Sequence, residues 1–148
     1  MAEKKKHKKA KGKRGGAHAV QRPAASERWE VVIYPWTTVR KATRTQPRTP
    51  LGDDEGYVYL IESTDVGYVK IGWSRTPEAR LGQLQTGSLP DLRLLAAIRG
   101  ERKLEGQLHT WFADRRLDGE WFLFREGEDA VELAMEATAA VFQGWEPD

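Results

Sequence analysis

The chain has 148 residues, of which 39% are apolar, enough to bury one modest hydrophobic core but not two. It contains no cysteine, which excludes a disulfide framework and a thiolate metal site. No apolar run is long enough to span a bilayer, so we expect a cytoplasmic protein without a membrane segment.

Residues 1–26 are predicted to form a basic, disordered tail. Residues 1–14 contain seven lysines, one arginine and one glutamate, a net charge of +7, and like charges at this density repel one another. Such a tail either keeps the protein in solution or binds a polyanion such as DNA, with counterion release on each phosphate contact. The candidate nucleic-acid-binding residues are Lys4, Lys5, Lys6, Lys8, Lys9, Lys11, Lys13 and Arg14.

Residues 27–55 are predicted to hold a short strand and a linker. The segment RWEVVIY, which ends at Tyr34, alternates weakly and predicts the strand, whereas the proline- and threonine-rich stretch after it has a linker composition. We place the boundary of the folded domain near Gly56, so that the domain spans residues 56–148. The sequence leaves open whether residues 29–36 dock on that domain.

The segment Gly56–Ser74 predicts a β-hairpin, because two runs rich in Val, Ile and Tyr flank a turn that ends in glycine. Alternation puts Tyr57 and Tyr59 on one face, together with Lys70 and Gly72 of the second strand. The opposite face is apolar. The hairpin is therefore expected to have a core side and a separate working side that carries phenols and an amine.

A short helix is predicted next, with Thr76 as its N-cap and Gly87 as its end. Arg80 lies at the edge of the apolar face of this helix, beside the leucines that face the core. Leu92 to Ile98 then predicts a third strand.

A second helix is predicted from the spacing of four apolar residues, which are Leu104, Leu108, Trp111 and Phe112. Glu105 and His109 are four residues apart, so they stack together on the flank of this apolar stripe. Asp118 and Gly119 predict a turn, and the segment from Glu120 to Phe124 predicts a short buried strand. The last helix is expected from about Glu128, with Val131, Met135, Thr138 and Phe142 on its packed stripe.

Tyr59, Lys70, Arg80 and Glu105 together provide a phenol, two cations and one carboxylate. Phosphodiester hydrolysis requires a group that orients or deprotonates water, positive charge at the reacting phosphate and a hard oxygen ligand for a divalent cation. A single carboxylate suits Mg²⁺, which keeps most of its waters. The inventory therefore favours phosphoryl chemistry over acyl transfer.

This ordered set resembles the GIY-YIG endonuclease superfamily. The resemblance rests on the Tyr-Val-Tyr-Leu-Ile run at residues 57–61, Lys-Ile-Gly at 70–72, Arg80 eight residues after that glycine, and Glu105 on the next long helix. The segment LEGQLHTWFADRRLDGEWF, residues 104–122, is similar to the small phage and bacterial branch. The resemblance covers nearly half of the chain, from Tyr57 to about Phe124.

The resemblance implies an α+β fold with a three-stranded antiparallel sheet flanked by helices, and DNA cleavage with one Mg²⁺ or Mn²⁺ ion. By position, Tyr59 would help to activate the water, Arg80 would contact the scissile phosphate and Glu105 would bind the metal. Lys70 stands where many members have a second tyrosine, so either Tyr59 or Lys70 would act as the base.

Tyr57 replaces the glycine of the first motif and adds a second phenol to the candidate catalytic residues. His109 would hydrogen-bond within the core, orient Glu105 or touch phosphate. No DNA-reading domain is evident, so we expect a protein partner to supply targeting.

Two other classes remain open at this point. One is a catalytically silent nucleic-acid-binding module, and the other is a structural phage protein that contacts nucleic acid through its basic tail. Each candidate also has an ordinary role, since tyrosines belong in strands and Glu105 borders an amphipathic helix. Cleavage that depends on Glu105 would separate the nuclease from both alternatives.

Overall fold

The computed structural model describes residues 19–21, 30–34, 49–86 and 91–146. In chain order its elements are β1 (Ala19–Gln21), β2 (Val31–Ile33), β3 (Glu55–Ser63), β4 (Tyr68–Ser74), α1 (Pro77–Gln85), β5 (Leu92–Glu101), α2 (Arg102–Trp111), β6 (Arg116–Asp118), β7 (Trp121–Leu123) and α3 (Ala130–Phe142). A 3₁₀ turn at Ala113–Arg115 follows α2. None of the described helices combines the length and apolarity needed to cross a bilayer.

The strands form one sheet in the order β1-β2-β5-β3-β4-β7-β6, and every described pairing is antiparallel. The α+β class is confirmed, and the central strands β5, β3 and β4 correspond to the predicted three-stranded sheet. The sheet is wider than predicted, with seven strands in the described part of the chain. Of the four additional strands, each of three residues, β2 and β7 were predicted as short strands but not as members of the central sheet, whereas β1 and β6 were not predicted.

The predicted strand before Tyr34 is confirmed at Val31–Ile33, where β2 pairs with β5. Val31 is fully buried in register with Ile98, so residues 30–34 dock on the sheet. The two tryptophans that flank this segment, and the predicted linker up to residue 48, lie outside the described residues.

Ala19–Gln21 forms β1 and pairs with β2, which differs from the disordered tail predicted through residue 26. The like-charge argument does not apply to these three residues, because none of them is charged and the lysines of the tail all precede residue 14. Residues 1–18, which carry the candidate nucleic-acid-binding lysines, lie outside the described residues.

One face of the sheet packs against α2 and α3. Val58, Leu60 and Ile71 contribute to this core from β3 and β4, and Leu108 of α2 and Phe122 of β7 are buried with them. The apolar side of the hairpin is therefore its core side, as predicted. Burial of such side chains is worth roughly 1.5–3 kcal/mol each and is the main force that holds α2 against the sheet.

The opposite face of the sheet forms a second core under α1. Tyr59 and Ile61 of β3 are buried there, and Leu81 and Leu84 of α1 pack against them. This predicted working side is more covered than the sequence indicated, because α1 lies over it and Tyr59 is only 2% exposed. The leucines of α1 need apolar surface to cover, and the flat faces of the tyrosine rings provide it.

Helix α1 begins at Pro77, as predicted, but Thr76 does not cap it through its side chain. Instead, the Ser74 hydroxyl oxygen accepts a hydrogen bond from the Thr76 backbone N–H at 2.9 Å. The predicted helix end, Gly87, lies outside the described residues.

Helix α3 begins at Ala130, after Asp129 accepts hydrogen bonds from the backbone N–H groups of the next turn. Its buried face differs from the predicted stripe, since Phe142 is 44% exposed and only Thr138 of that stripe is fully buried. The face that packs consists mainly of small residues, which are Ala130, Ala134, Ala137 and Val141. Small side chains let α3 approach the core closely. The close packing of this face stabilises the fold more than burial of the larger side chains on the predicted stripe would.

A bidentate ion pair joins the 3₁₀ turn to the start of α3. The guanidinium of Arg115 donates to both carboxylate oxygens of Glu128, at 2.7 and 3.0 Å, and the Arg125 N–H donates to the same group. These contacts, with Arg115 the main cause, lower the pKa of Glu128 to about 2. Because the folded-state pKa lies below the ordinary value of 4.5, the pair stabilises the fold above that pH and loses its effect as the pH falls towards 2.

Glu128→Gln is accordingly expected to lower the melting temperature at pH 7, with a difference from the parent that closes as the pH falls from 4.5 towards 2. Thermal unfolding followed by circular dichroism across this range measures the effect, with Glu136→Gln as an exposed control on α3. A melting difference that does not change with pH would contradict the ion-pair explanation.

Candidate functional site

Tyr59 lies directly over Gly72 on the neighbouring strand. The two residues are paired between β3 and β4, and a Cβ atom placed on Gly72 would collide with the hydroxyl and the ring of Tyr59. Only glycine permits this contact. The phenol oxygen is therefore seated on β4, the strand that also carries Lys70.

Lys70 is held by groups from β7 and the turn before it. Its Nζ atom lies 2.8 Å from a carboxylate oxygen of Glu120 and 5.7 Å from the ring centroid of Trp121. The side chain of Lys70 is 13% exposed, so the ammonium is fixed near the surface and does not extend freely into solvent.

The outer edge of β4 is open beyond Ile71 in the part of the chain that the structure describes. Strand β7 pairs with β4 from Tyr68 to Lys70, and the Ile71 N–H donates to the Glu120 carbonyl at 3.0 Å. Past that bond, no described strand pairs with this edge of β4 as far as Ser74, although Gly72 itself is buried. A ligand that approaches this part of β4 would have no described strand to displace.

Glu105 and His109 reach this edge from α2, on the face opposite Tyr59. The Nε2 atom of His109 lies 2.8 Å from the Ile71 carbonyl oxygen and 3.9 Å from Oε2 of Glu105. A carbonyl can only accept, so Nε2 carries the hydrogen and donates it. His109 also packs on the Phe122 ring, with centroids 5.1 Å apart. It thus anchors α2 to β4 and positions Glu105.

The carboxylate of Glu105 is mostly buried, with its side chain 13% exposed. Burial raises the pKa of Glu105, and the negative charge of Glu120 raises it further, against opposing effects of His109, Arg102 and Lys70. A desolvated carboxylate that feels the charge of a second one is stabilised by a bound cation. These residues therefore fit a divalent metal ion.

The described residues contain no group of three or more acidic or histidine side chains arranged around a metal position. Mg²⁺ does not require such a cage, because it binds through one or two carboxylates and keeps several waters. Glu105, with Glu120 as its charged neighbour, meets that requirement.

Arg80 lies on α1, on the same side of the sheet as Tyr59. Its guanidinium donates to the Gln83 side chain at 3.1 Å, and it forms no ion pair with a residue that the structure describes. The described contacts therefore do not join Arg80 to Glu105. They also leave the positive charge of Arg80 available to bind an anion.

Tyr57 is buried, and its hydroxyl has no hydrogen-bond partner among the described residues. Burial, followed by the charge of Glu30, raises the pKa of Tyr57 to about 12. A phenol with this pKa stays protonated at neutral pH and packs in the second core. These observations favour a packing role for Tyr57.

Two charged residues at the site are absent from the sequence-based set. Glu120 holds Lys70, and Arg102 lies beside Glu105 with its guanidinium 4.4 Å from the centroid of the Trp73 ring. Arg102 could have been found, because it precedes Glu105 by three residues on one helix. Glu120 depends on the register of β7 against β4, which the sequence does not specify.

An α+β domain that places a phenol and an ammonium on one face of β4, and a desolvated carboxylate on the other, carries groups that suit contact with a phosphate and a cation. The chain belongs to the T5orf172 domain family, a nuclease-like domain, whose match covers residues 56–138. The match begins at the predicted domain boundary and includes every predicted site residue outside the tail. No curated protein and no solved structure matches the chain. The GIY-YIG type is a finer assignment and stays a prediction.

Proposed function

We propose that the chain is a GIY-YIG-type endonuclease that hydrolyses DNA phosphodiester bonds at the open edge of β4 with a single Mg²⁺ or Mn²⁺ ion. The observation that supports this most directly is the mostly buried carboxylate of Glu105, anchored by His109 and surrounded by the charges of Lys70, Arg102 and Glu120. A carboxylate kept out of water beside a second one is unfavourable for stability alone.

The cations of the site bind the scissile phosphate. Arg80 has an uncommitted charge on the α1 side, and a guanidinium forms paired hydrogen bonds to phosphate oxygens. Lys70 places a second positive charge on β4 itself. Together they stabilise the negative charge that develops on the phosphate oxygens during hydrolysis.

Tyr59 orients or deprotonates the attacking water. Lys70 is the poorer base, since an ammonium in an ion pair with Glu120 has no lone pair with which to accept a proton. The ring of Tyr59 is held against Gly72, so its hydroxyl cannot swing away from the strand edge. A fixed hydroxyl keeps the water in line with the phosphate.

Glu105 is the residue that would hold the metal. A divalent cation bound there supplies positive charge to the phosphate and makes a bound water more acidic. His109 anchors α2, the helix that carries this carboxylate, through its hydrogen bond to the Ile71 carbonyl. The basic tail supplies affinity without sequence preference, which the domain itself, with a net charge of −6 over residues 56–148, does not.

The proposal is tested by nicking of supercoiled plasmid at low salt, with and without Mg²⁺. The parent is expected to nick the plasmid only with the metal. Arg80→Ala is expected to nick it about a hundredfold more slowly, which is the usual effect of removing one group that stabilises charge in the transition state. Arg125→Ala is the matched control, because Arg125 is exposed and lies at the far end of β7. Its rate should equal that of the parent.

Two results would contradict the proposal. If the parent binds DNA but does not cut it under any metal condition, the chain is a binding module. If Arg80→Ala and Arg125→Ala cut at the same rate, the phosphate is held elsewhere and the assignment of the site is wrong.

A further inference from the structure

An apolar cavity of about 390 Å³ lies beside the proposed site, between the hairpin turn, the end of α1 and the β6–β7 pair. Its walls include Ser63, Val66, Tyr68, Leu117, Asp118 and Trp121. Several of these are unusually exposed for apolar residues, with Val66 51% and Leu117 44% exposed. Exposed apolar surface of this kind marks a place where something binds.

The cavity shares a wall with the proposed phosphate site. Trp121 lines the cavity and also contacts the ammonium of Lys70. Tyr68 lies on the same face of β4 as Lys70, two residues earlier, a separation of about 7 Å along a strand. A nucleotide whose phosphate is bound by Lys70 can therefore place its base in the cavity.

One polar group of the cavity also suits a base. Ser63 forms part of the wall, but its hydroxyl oxygen has almost no accessible surface, so it shapes the cavity and does not bond to a ligand. Asp118 supplies a carboxylate, which repels phosphate but accepts hydrogen bonds from the amino groups of bases.

We propose that this cavity binds one unstacked nucleobase of the substrate, next to the phosphate held by Lys70. The inference rests on the proposed function and adds a substrate preference to it. Tyr68 and Trp121 supply aromatic faces on which a base can stack, and the volume falls within the range of small-ligand sites. The enzyme therefore prefers DNA with an unpaired nucleotide, such as a bulge or a flap, over a continuous duplex.

Cleavage of matched oligonucleotides tests the proposal. One duplex carries a single unpaired adenine and the other carries an abasic residue at the same position. The parent is expected to cut the adenine bulge about tenfold faster, in keeping with the strength of base–aromatic stacking. Tyr68→Ala should cut both at the slower rate, and its folding is not at risk because Tyr68 is 37% exposed.

Leu123→Ala is the matched control for this experiment. Leu123 is a large apolar residue, 42% exposed, that pairs with Tyr68 but does not line the cavity. It should keep the tenfold preference for adenine. If the parent cleaves the adenine and abasic bulges at equal rates, the proposal that the cavity binds a base is wrong. The proposed nuclease function would not be affected by that result.

Binding of a free nucleotide tests the cavity without cleavage. Deoxyadenosine monophosphate is titrated into the ¹⁵N-labelled full chain, and the Trp121 indole resonance is assigned with Trp121→Phe. The nucleotide is expected to shift this resonance in a saturable way, while ribose 5-phosphate, which lacks a base, does not. The same shift with both compounds, or none, would overturn the proposal. If the resonance shifts only with the base-containing compound but the protein cuts no DNA, the cavity binds a base and the proposed nuclease function is wrong.

Discussion

Glu105→Gln is expected to reduce DNA cleavage by at least about a thousandfold, since a loss of roughly 4 kcal/mol of transition-state stabilisation corresponds to that factor. The amide preserves the size of the side chain and its place beside His109. It removes the charge that would bind the metal. Cleavage rates on supercoiled plasmid in Mg²⁺ measure the effect.

The same substitution is expected to stabilise the fold at neutral pH. Burial and the charge of Glu120 raise the pKa of Glu105 above 4.5, so the fold disfavours the ionised form. A neutral amide escapes this penalty at pH 7, whereas below pH 4.5 the parent carboxyl is also neutral and the two proteins should melt together. Melting temperatures without divalent metal, measured from pH 7 downwards, check this.

Glu136→Gln controls for a general effect of charge, because Glu136 is exposed on α3. It should leave both the cleavage rate and the melting temperature unchanged. The role assigned to Glu105 fails if Glu105→Gln cuts within tenfold of the parent. A lower melting temperature at pH 7 would show that Glu105 is a structural residue, since the fold would then need its charge.

Gly72→Ala is expected to destabilise the fold by about 1–3 kcal/mol, as overpacking of a core does, and to abolish cleavage with it. The added Cβ atom would occupy the position of the Tyr59 hydroxyl and ring. Either β4 or the phenol must move, and both belong to the proposed site. Urea unfolding and plasmid nicking measure the two effects.

Gly82→Ala is the control for the added methyl group. Gly82 is exposed on α1 and a Cβ atom there meets nothing within 4 Å. Alanine favours a helix over glycine, so this variant should be more stable by up to about 1 kcal/mol. The cost of Gly72→Ala should shrink in a Tyr59→Leu background, which removes the ring. An unchanged cost there would mean that the collision with Tyr59 is not its cause.

The elements that could be predicted from the sequence are those with long periodic patterns or clear boundary residues. The hairpin of β3 and β4, the start of α1 at Pro77 and the body of α2 are such elements. β1 and β6 were not predicted, because their sequences, AVQ and RLD, lack the runs of β-branched or aromatic residues that indicated β2 and β7. The packed face of α3 was assigned to large residues, whereas the tertiary structure selects its alanines.

The candidate site could be predicted as a set of residues but not as an arrangement. Alternation correctly put Tyr59 on one face of the hairpin, yet it could not show that α1 covers that face. Nor could it show that Glu105 approaches from the opposite face, because that depends on the face of the sheet against which α2 packs. The partnership of Lys70 with Glu120 spans 50 residues and follows from strand register alone.

The order in which the site residues appear along the chain has a consequence for synthesis. The ribosome releases Tyr59, Lys70 and Arg80 first, whereas Glu105 and the β7 residues that complete the strand edge emerge later. A nascent or prematurely terminated chain therefore carries the cations proposed to bind phosphate without the carboxylate. Because domains generally fold as units during translation, the proposed DNA cleavage would begin in a cell only once the whole domain has been translated.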